Sequence, residues 1–168
     1  MNRNQRNEDG MLQYLSKRIP DATARIRGLE NYRSISGMLK LYQTQSGVFV
    51  VLAVQGMPTK NNNICGGGIF GVHIHDGSSC NVNDGALITD AGTHYNPTGC
   101  AHPYHAGDLP PLFADNGYGW YAVLIQRFSV DEVVEKVIMI HENPDDFTSQ
   151  PSGNSGGIIA CGTIKRLE

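Results

Sequence analysis

The histidines of this chain are arranged as ligands for two neighbouring metal ions. His73 and His75 are two residues apart, so on a β-strand both imidazoles point to one face and can bind a single ion. The remaining four histidines follow, with an aspartate among them: His94, His102, His105, Asp108 and His141. The chain has six histidines in all, and none remains once two metal sites have been assembled from them.

Two ligand sets account for these residues, and one histidine belongs to both. Four imidazoles suit copper, which favours nitrogen ligands in tetragonal geometry, and they come from His73, His75, His94 and His141. Three imidazoles and one carboxylate suit a closed tetrahedral zinc site, which is structural rather than catalytic, and they come from His94, His102, His105 and Asp108. We therefore predict that His94 bridges the two ions as an imidazolate, with one ring nitrogen on each.

Asp145, four residues after His141, is a candidate for orienting the metal ligands. Its carboxylate is expected to accept hydrogen bonds from the free ring nitrogens of one copper ligand and one zinc ligand, which fixes the orientation of both rings. The alternative for Asp145 and Asp146 is a solvated acidic turn, and the sequence by itself leaves both interpretations open.

Short strands separated by turns must position these side chains. Alternating or valine-rich segments predict six strands, the first two forming a hairpin, over residues 36–42, 48–54, 70–75, 118–126, 137–140 and 158–164. A short helix is expected over 130–135, with Ser129 as its N-cap and Glu132 completing a capping box. Residues 76–116 lack periodicity and predict a long loop that a bound metal orders. The pattern is typical of an all-β antiparallel sandwich or flattened barrel.

Composition indicates a single globular domain. Among 168 residues, 40% are hydrophobic and 17% charged, with 20 glycines and 8 prolines, which is typical of a turn-rich fold. The net charge of −3 and the scattered basic residues give no sign of a nucleic-acid partner, and no apolar stretch is long enough to cross a membrane. The N-terminus lacks the apolar core of an export signal, so we expect a cytoplasmic protein or one whose signal has been removed.

Residues 1–30 differ from the rest of the chain. They are polar, with a weak helical spacing that ends at Pro20. We interpret them as an N-terminal extension, either a solvated arm or one short docking helix, and residues 31–168 as the metal-binding domain.

From about residue 34 to residue 164 the sequence resembles the copper/zinc superoxide dismutase family, and Gly-Ser-Ser-Cys at 77–80 is closest to its bacterial branch. The resemblance is carried by four segments in the family's order: GVHIH at 71–75, GTHYNP at 92–97, HAGDL at 105–109 and GNSGGIIACG at 153–162. It implies an eight-stranded Greek-key barrel with two long loops, the copper and zinc ligands assigned above, and Asp145 as the link between ligand rings. It also implies a disulfide between Cys80 and Cys161, which would stabilise the fold by about 2–4 kcal/mol.

The resemblance also implies the reaction, which is disproportionation of superoxide to oxygen and hydrogen peroxide. Copper is the implied redox metal, and zinc holds the bridging ring. His94 is the implied catalytic residue, because it separates from reduced copper, takes up a proton and delivers it to the forming peroxide. Members of the family are dimers or monomers, so a homodimer and a monomer both stay open.

Three features depart from the family pattern. The position three residues before the second disulfide cysteine normally holds an arginine that guides the anion to copper, and here it is Ile158. Charged walls change the association rate of a charged substrate by about ten- to a thousand-fold, so we expect reduced activity with metal binding preserved. The loop between His102 and His105 is much shorter than in common relatives. Cys65 and Cys100 lie outside the common pattern and form either a second disulfide or free thiols.

These observations leave three hypotheses. The first is a superoxide dismutase slowed by Ile158, and the second is a copper- and zinc-binding protein of the same fold without catalysis. The third is a structural β-sandwich interaction module whose histidines are incidental. Stoichiometric metal binding separates the third from the others, and superoxide turnover separates the first two.

Overall fold

A computed structural model describes residues 17–59, 67–83, 86–88 and 91–167. The strands are β1 Ala22–Gly28, β2 Ser36–Thr44, β3 Gly47–Gln55, β4 Gly67–Phe70, β5 Val72–His75, β6 Asn81–Asn83, β7 Ala86–Ile88, β8 Leu112–Asp115, β9 Tyr118–Ile125, β10 Val137–His141, β11 Ile158–Thr163 and β12 Lys165–Arg166. A 3-10 turn lies at Glu30–Tyr32, and the short helix α1 lies at Val130–Val133.

The main sheet is antiparallel and closes nearly into a barrel. Hydrogen-bonded neighbours follow the order β4-β8-β9-β3-β2-β1-β11-β10-β5. β4 and β5 are two halves of one strand interrupted at Gly71, and the first half pairs with β8 whereas the second pairs with β10. Counted in this way the barrel has eight strands, and the connection from β3 to β4 passes β8 and β9 as a Greek key. The predicted eight-stranded Greek-key barrel is confirmed.

Alternation along the strands places apolar side chains in the barrel interior. In β3, every second residue is buried and the residues between them are partly exposed. In β5, Val72 and Ile74 join the main core, so His73 and His75 point to the opposite side. These histidines are nevertheless buried, because residues from the loops after β5 and β10 cover that side of the strand.

The expected N-terminal extension is wrong in its second half. Within residues 1–30 we predicted a solvated arm or a docking helix, but Ala22–Gly28 is a strand that pairs with both β2 and β11. Ala22, Ala24 and Ile26 are buried, and exposed arginines alternate with them. Alanine is a weak strand former, so burial between two neighbouring strands decides the structure here. Residues 1–16, which carry most of the expected extension, lie outside the described residues.

The expected loop over 76–116 also contains regular structure. β8 pairs with β4 and β9, and its burial alternates, with Leu112 and Ala114 inside. A four-residue alternation directly after two prolines was too short to indicate a strand. β6 and β7 form a small separate hairpin in the same segment.

Several other local predictions are confirmed. The hairpin of β2 and β3 is present, and α1 has the Ser129–Glu132 capping box. The helix ends at Val133, two residues earlier than predicted, because Val134 is extended and Glu135 has a φ of 68°.

No helix among the described residues is long and apolar enough to span a membrane.

The cysteines have different fates. Cys80 and Cys161 form the predicted disulfide, with a Cα–Cα distance of 5.8 Å, so the loop after β5 is attached to the barrel strand β11. Cys100 is an exposed free thiol. Cys65 lies outside the described residues.

Candidate metal centre

Four buried histidines from different segments meet on the outer side of β5. We call His73, His75, His94 and His141 the four-histidine group. One ring nitrogen of each lies within 4.8 Å of the corresponding nitrogens of the others. β5 supplies His73 and His75, the end of β10 supplies His141, and the long loop supplies His94, which forms a β-bridge with His75. Strand register and one bridge therefore bring together residues that are far apart in sequence.

Every imidazole of this group has a buried ring nitrogen without a hydrogen-bond partner, namely His73 Nδ1, His75 Nε2, His94 Nε2 and His141 Nε2. The opposite nitrogen of His75 lies 3.3 Å from the Gly92 carbonyl, and that of His141 lies 3.3 Å from the Gly156 carbonyl. Donation to a carbonyl leaves the lone pair on the other ring nitrogen. Burial of unpaired polar atoms is costly, and four converging imidazole lone pairs fit a copper ion.

The second set, His94, His102, His105 and Asp108, is here called the His3Asp group. Asp108 Oδ1 lies 2.7 Å from His94 Nδ1, and Asp108 Oδ2 lies 3.1 Å from His102 Nδ1 and 3.3 Å from His105 Nδ1. Zinc bonds of about 2.0–2.1 Å separate tetrahedral ligand atoms by roughly 3.3 Å. His102 Nδ1 is close to Asp108 but has no hydrogen bond, as expected when both atoms point towards a third. The spacing fits zinc.

His94 belongs to both groups and presents a different ring nitrogen to each. Its Nδ1 faces the Asp108 carboxylate and lies 3.4 Å from His105 Nδ1. Its Nε2 has no partner, and its ring centroid lies 3.9 Å from that of His73 and 4.9 Å from that of His75. An imidazole bridges two ions only through opposite nitrogens, so this orientation is the one that a bridge requires.

Asp145 links one ring of each group. His73 Nε2 donates to its Oδ2 at 2.8 Å, and His102 Nε2 donates to its Oδ1 at 2.9 Å. Both donations leave Nδ1 of the same ring for a metal, and the carboxylate is buried. Asp146 behaves differently, because it is exposed and accepts hydrogen bonds from Thr148 and Ser149. The two adjacent aspartates therefore separate into a buried link and a solvated turn.

Burial keeps His73, His75 and His141 of the four-histidine group ready to bind a cation. Burial and the neighbouring His94 lower the pKa of His75 to about 3, and burial also lowers the pKa of His141 to about 4 and that of His73 further still. Burial raises the pKa of Asp108, but the hydrogen bond and charge of His94 lower it more, so the net pKa lies below its usual value. At neutral pH His73, His75 and His141 are thus neutral imidazoles and Asp108 is a carboxylate, which are the forms that bind metals.

A cavity of about 550 Å³ opens over both groups. His75, His94 and His141 line it, and Ile158 lies on its wall. Ile158 is the β-sheet partner of His141 across β10 and β11, so the two side chains are neighbours on adjacent strands. No lysine, arginine, aspartate or glutamate is among the described residues lining the cavity. The position therefore lies beside the four-histidine group without bringing a charge to it.

Three residues that support the site were absent from the sequence-based set. Gln150 accepts from the backbone N–H of His102 at 3.0 Å and donates to its carbonyl at 2.7 Å. Arg127 donates to three backbone carbonyls of the loop that carries the His3Asp group. Gly153 has a φ of 66°, and a Cβ there would lie 1.9 Å from Asp145 Oδ1. Only Gly153 had a signal, since it lies in the GNSGGIIACG segment.

Comparison with known proteins gives a consistent result. The family model described as copper/zinc superoxide dismutase (SODC) matches residues 35–164. Superoxide dismutase [Cu-Zn] 2 of Aquifex aeolicus (strain VF5) is 30% identical over 146 residues, which cover 78% of this chain and 80% of that protein. Superoxide dismutase [Cu-Zn] of Photobacterium leiognathi is 30% identical over 159 residues, covering 86% and 87%. The protein of that name from Actinobacillus pleuropneumoniae is 38% identical over 113 residues, covering 58% and 60%.

Proposed function

Because this chain belongs to the copper/zinc superoxide dismutase family, we propose that it converts superoxide to oxygen and hydrogen peroxide. The four-histidine group would hold copper, and the His3Asp group would hold zinc. Copper bound there supplies the one-electron redox change, and zinc supplies a fixed positive charge behind the bridging ring.

The observation that carries the proposal is the set of four buried, unpartnered ring nitrogens in the four-histidine group. Each of their rings is positioned by another contact, either to a backbone carbonyl or to a carboxylate. A ring that is fixed at one nitrogen and free at the other is typical of a metal ligand. A protein that used these histidines only for packing would leave four polar atoms unpaired without compensation.

His94 is the proposed proton donor. Its Nε2 belongs to the four-histidine group and its ring lines the cavity, whereas its Nδ1 faces Asp108. Since Nδ1 holds the ring at Asp108, the ring would stay anchored while its Nε2 carries a proton that points into the cavity. A proton donor at that position can hydrogen-bond to the reduced substrate and transfer the proton to it.

Ile158 is the reason to expect a slow enzyme. Superoxide is an anion, and the net charge of the chain is −3. The described cavity lining has no lysine or arginine side chain to offset that charge. We therefore propose that capture of the anion, rather than metal binding, limits the rate.

The activity is tested by loading the protein with copper and zinc, confirming the metal ratio, and following superoxide decay by stopped-flow absorbance. We expect decay to be faster than with the same concentration of free aqueous copper. A His94→Gln variant, which removes the bridging imidazole, is the matched control and should lose most of the acceleration. Fully loaded wild-type protein that is no faster than free copper would refute the dismutase proposal.

The second candidate function is copper and zinc binding without turnover. It is favoured by one observation, the uncharged cavity beside Ile158. It predicts stoichiometric uptake of both metals with no accelerated decay of superoxide. The same loaded samples therefore discriminate between the two functions.

We further propose that the chain forms a homodimer through the outer face of β4, β8 and β9. Phe113 and Trp120 are 66% and 52% exposed on this face, and Ile69 is opposite Phe113 in the register of β4 and β8. Contiguous exposed apolar side chains are typical of protein–protein contacts. A second copy would cover these apolar side chains, with the exposed Asp115 of β8 beside them.

A further inference from the structure

We propose that Arg127 is a positioning residue for the His3Asp group, holding the short loop after His102 in the conformation that binds metal. This inference rests on the proposed function in one respect, since it takes that group to be a zinc site. Arg127 does not touch the ligand atoms and is not itself among the residues that line the cavity, so its role is to shape the loop.

The guanidinium group contacts the loop at three points. Nη1 donates to the carbonyl oxygens of Pro103 at 3.3 Å and His105 at 3.1 Å, and Nη2 donates to the carbonyl oxygen of Asp108. These acceptors begin one residue after His102 and end at the last ligand of the group. The planar guanidinium presents several N–H donors in a fixed arrangement, so one side chain can hold carbonyls that point towards it from different residues.

The position of Arg127 in the chain makes it a firm anchor. It lies between β9, which ends at Ile125, and Ser129, the N-cap of α1. Ile125 and Phe128 on either side are buried in the core. The backbone of Arg127 is thus held by the barrel, while its side chain reaches across to a loop that has no strand or helix of its own.

Other hydrogen bonds hold parts of this loop: the Tyr104 N–H donates to the Ala101 carbonyl, and the Gly107 N–H donates to the Tyr95 carbonyl. Arg127 differs from them in joining three carbonyls along the loop through one side chain. Only two residues separate His102 from His105, and Gln150 holds the backbone of His102 alone. Ordering each residue of an unsupported loop costs roughly 1–2 kcal/mol of conformational entropy. If the metal alone ordered the loop, this entropic cost would weaken the affinity for zinc. Arg127 orders the segment beforehand, so the ligands are already in place.

Arg127 binds backbone carbonyls and leaves the Asp108 carboxylate to the histidines. It therefore does not compete with a metal for its ligand. Arg127 is also exposed as a whole, so its truncation leaves no cavity in the core. Variants at this position are expected to fold, which makes the proposal testable.

The test is a zinc-binding titration of the copper-free protein against a chromogenic chelator. We expect Arg127→Ala to weaken zinc binding by about 10- to 100-fold, the range found for residues that orient metal ligands. The zinc affinity of Arg127→Lys should lie between those of wild type and Arg127→Ala, because an ammonium group cannot contact all three carbonyls. Arg25→Ala removes an exposed arginine from β1 and is the matched control, for which zinc affinity should be unchanged.

A second readout separates positioning from general stability. Cobalt placed in the zinc site of Arg127→Ala should show weaker visible absorption bands than wild type, which reports a distorted tetrahedron. Millimolar guanidinium ion should restore both the bands and the affinity to Arg127→Ala. Zinc affinity of Arg127→Ala within about twofold of wild type, or a failure of guanidinium to restore it, would overturn the proposal.

Because superoxide is absent from this experiment, its result is independent of turnover. A wild-type protein that binds zinc through the Arg127-dependent loop but does not accelerate superoxide decay would refute the dismutase proposal alone. A wild-type protein that fails to bind zinc would overturn both.

Discussion

Replacing Ile158 with arginine should strengthen the attraction of anions to a cavity whose described lining has no lysine or arginine. Residues opposite each other on paired strands have Cβ atoms about 4.5–5.5 Å apart, and Ile158 is opposite His141. An arginine at 158 can therefore place its charge within roughly 5 Å of an anion bound over the four-histidine group. Two unit charges at that distance interact by about 1–3 kcal/mol for effective dielectric constants between about 80 and 20. This corresponds to an increase of roughly 5- to 150-fold in kcat/KM for superoxide.

The assay is stopped-flow superoxide decay over a range of ionic strengths, with equal copper and zinc occupancy in every variant. Ile158→Arg should be faster than wild type, and its advantage should shrink as salt screens the charge. Ile158→Gln has a polar but neutral side chain and isolates the effect of charge. Equal rates for the Gln and Arg variants, or an Arg variant no faster than wild type at low salt, would refute the electrostatic reasoning.

Three further perturbations test the site and the assembly. Asp145→Asn should weaken metal binding by about 10- to 100-fold, because it alters the carboxylate that accepts from His73 and His102. Gly153→Ala should weaken metal binding similarly, because its Cβ would strike Asp145. The control in the same metal titration is Gly99→Ala, which has the same φ of 66° but open space around it. For metal-free protein in chelator, the lowered pKa values of His75 and His141 mean that the stabilising contribution of these two residues is complete above the unfolded pKa near 6.5 and is lost as pH falls towards 3–4. The urea midpoint should therefore fall between about pH 7.5 and pH 5 by an amount equivalent to roughly 2 kcal/mol per histidine; a midpoint that is flat over this interval contradicts the assignment. Trp120→Glu should lower the sedimentation coefficient to that of a monomer if the proposed dimer face is correct, whereas an unchanged coefficient excludes that face.

The ligand pattern could be predicted from sequence because its signal is local. His73 and His75 are adjacent on one strand face, and Asp108 lies three residues after His105. Such spacings translate directly into geometry through the period of a strand or the reach of a turn. The β2–β3 hairpin could also be predicted, because its turn and its valine-rich run both lie in one short segment.

The supporting residues could not be predicted because their signal is not local. Arg127 and Gln150 act on backbone carbonyls and N–H groups, which every residue possesses, across 19 to 48 positions of the chain. Nothing in the sequence near an arginine or a glutamine specifies which backbone it will meet. β1 was missed for a related reason, since Ala22 and Ala24 are buried by their neighbours in the barrel rather than by their own preference.

Ile158 has a structural role as well as an electrostatic consequence. Its side chain packs against a small apolar cluster outside the main core that contains Leu29, Met139 and the disulfide cysteine Cys161. Ile158 is mostly buried, and burial of most of an isoleucine side chain stabilises a fold by roughly 1–2 kcal/mol. Here that stabilisation falls beside the bond that attaches the long loop to the barrel. The Ile158→Arg variant should consequently be faster yet unfold at a lower urea concentration than wild type. A variant that gained rate without losing stability would show that the apolar contact is dispensable, and that packing does not explain the isoleucine.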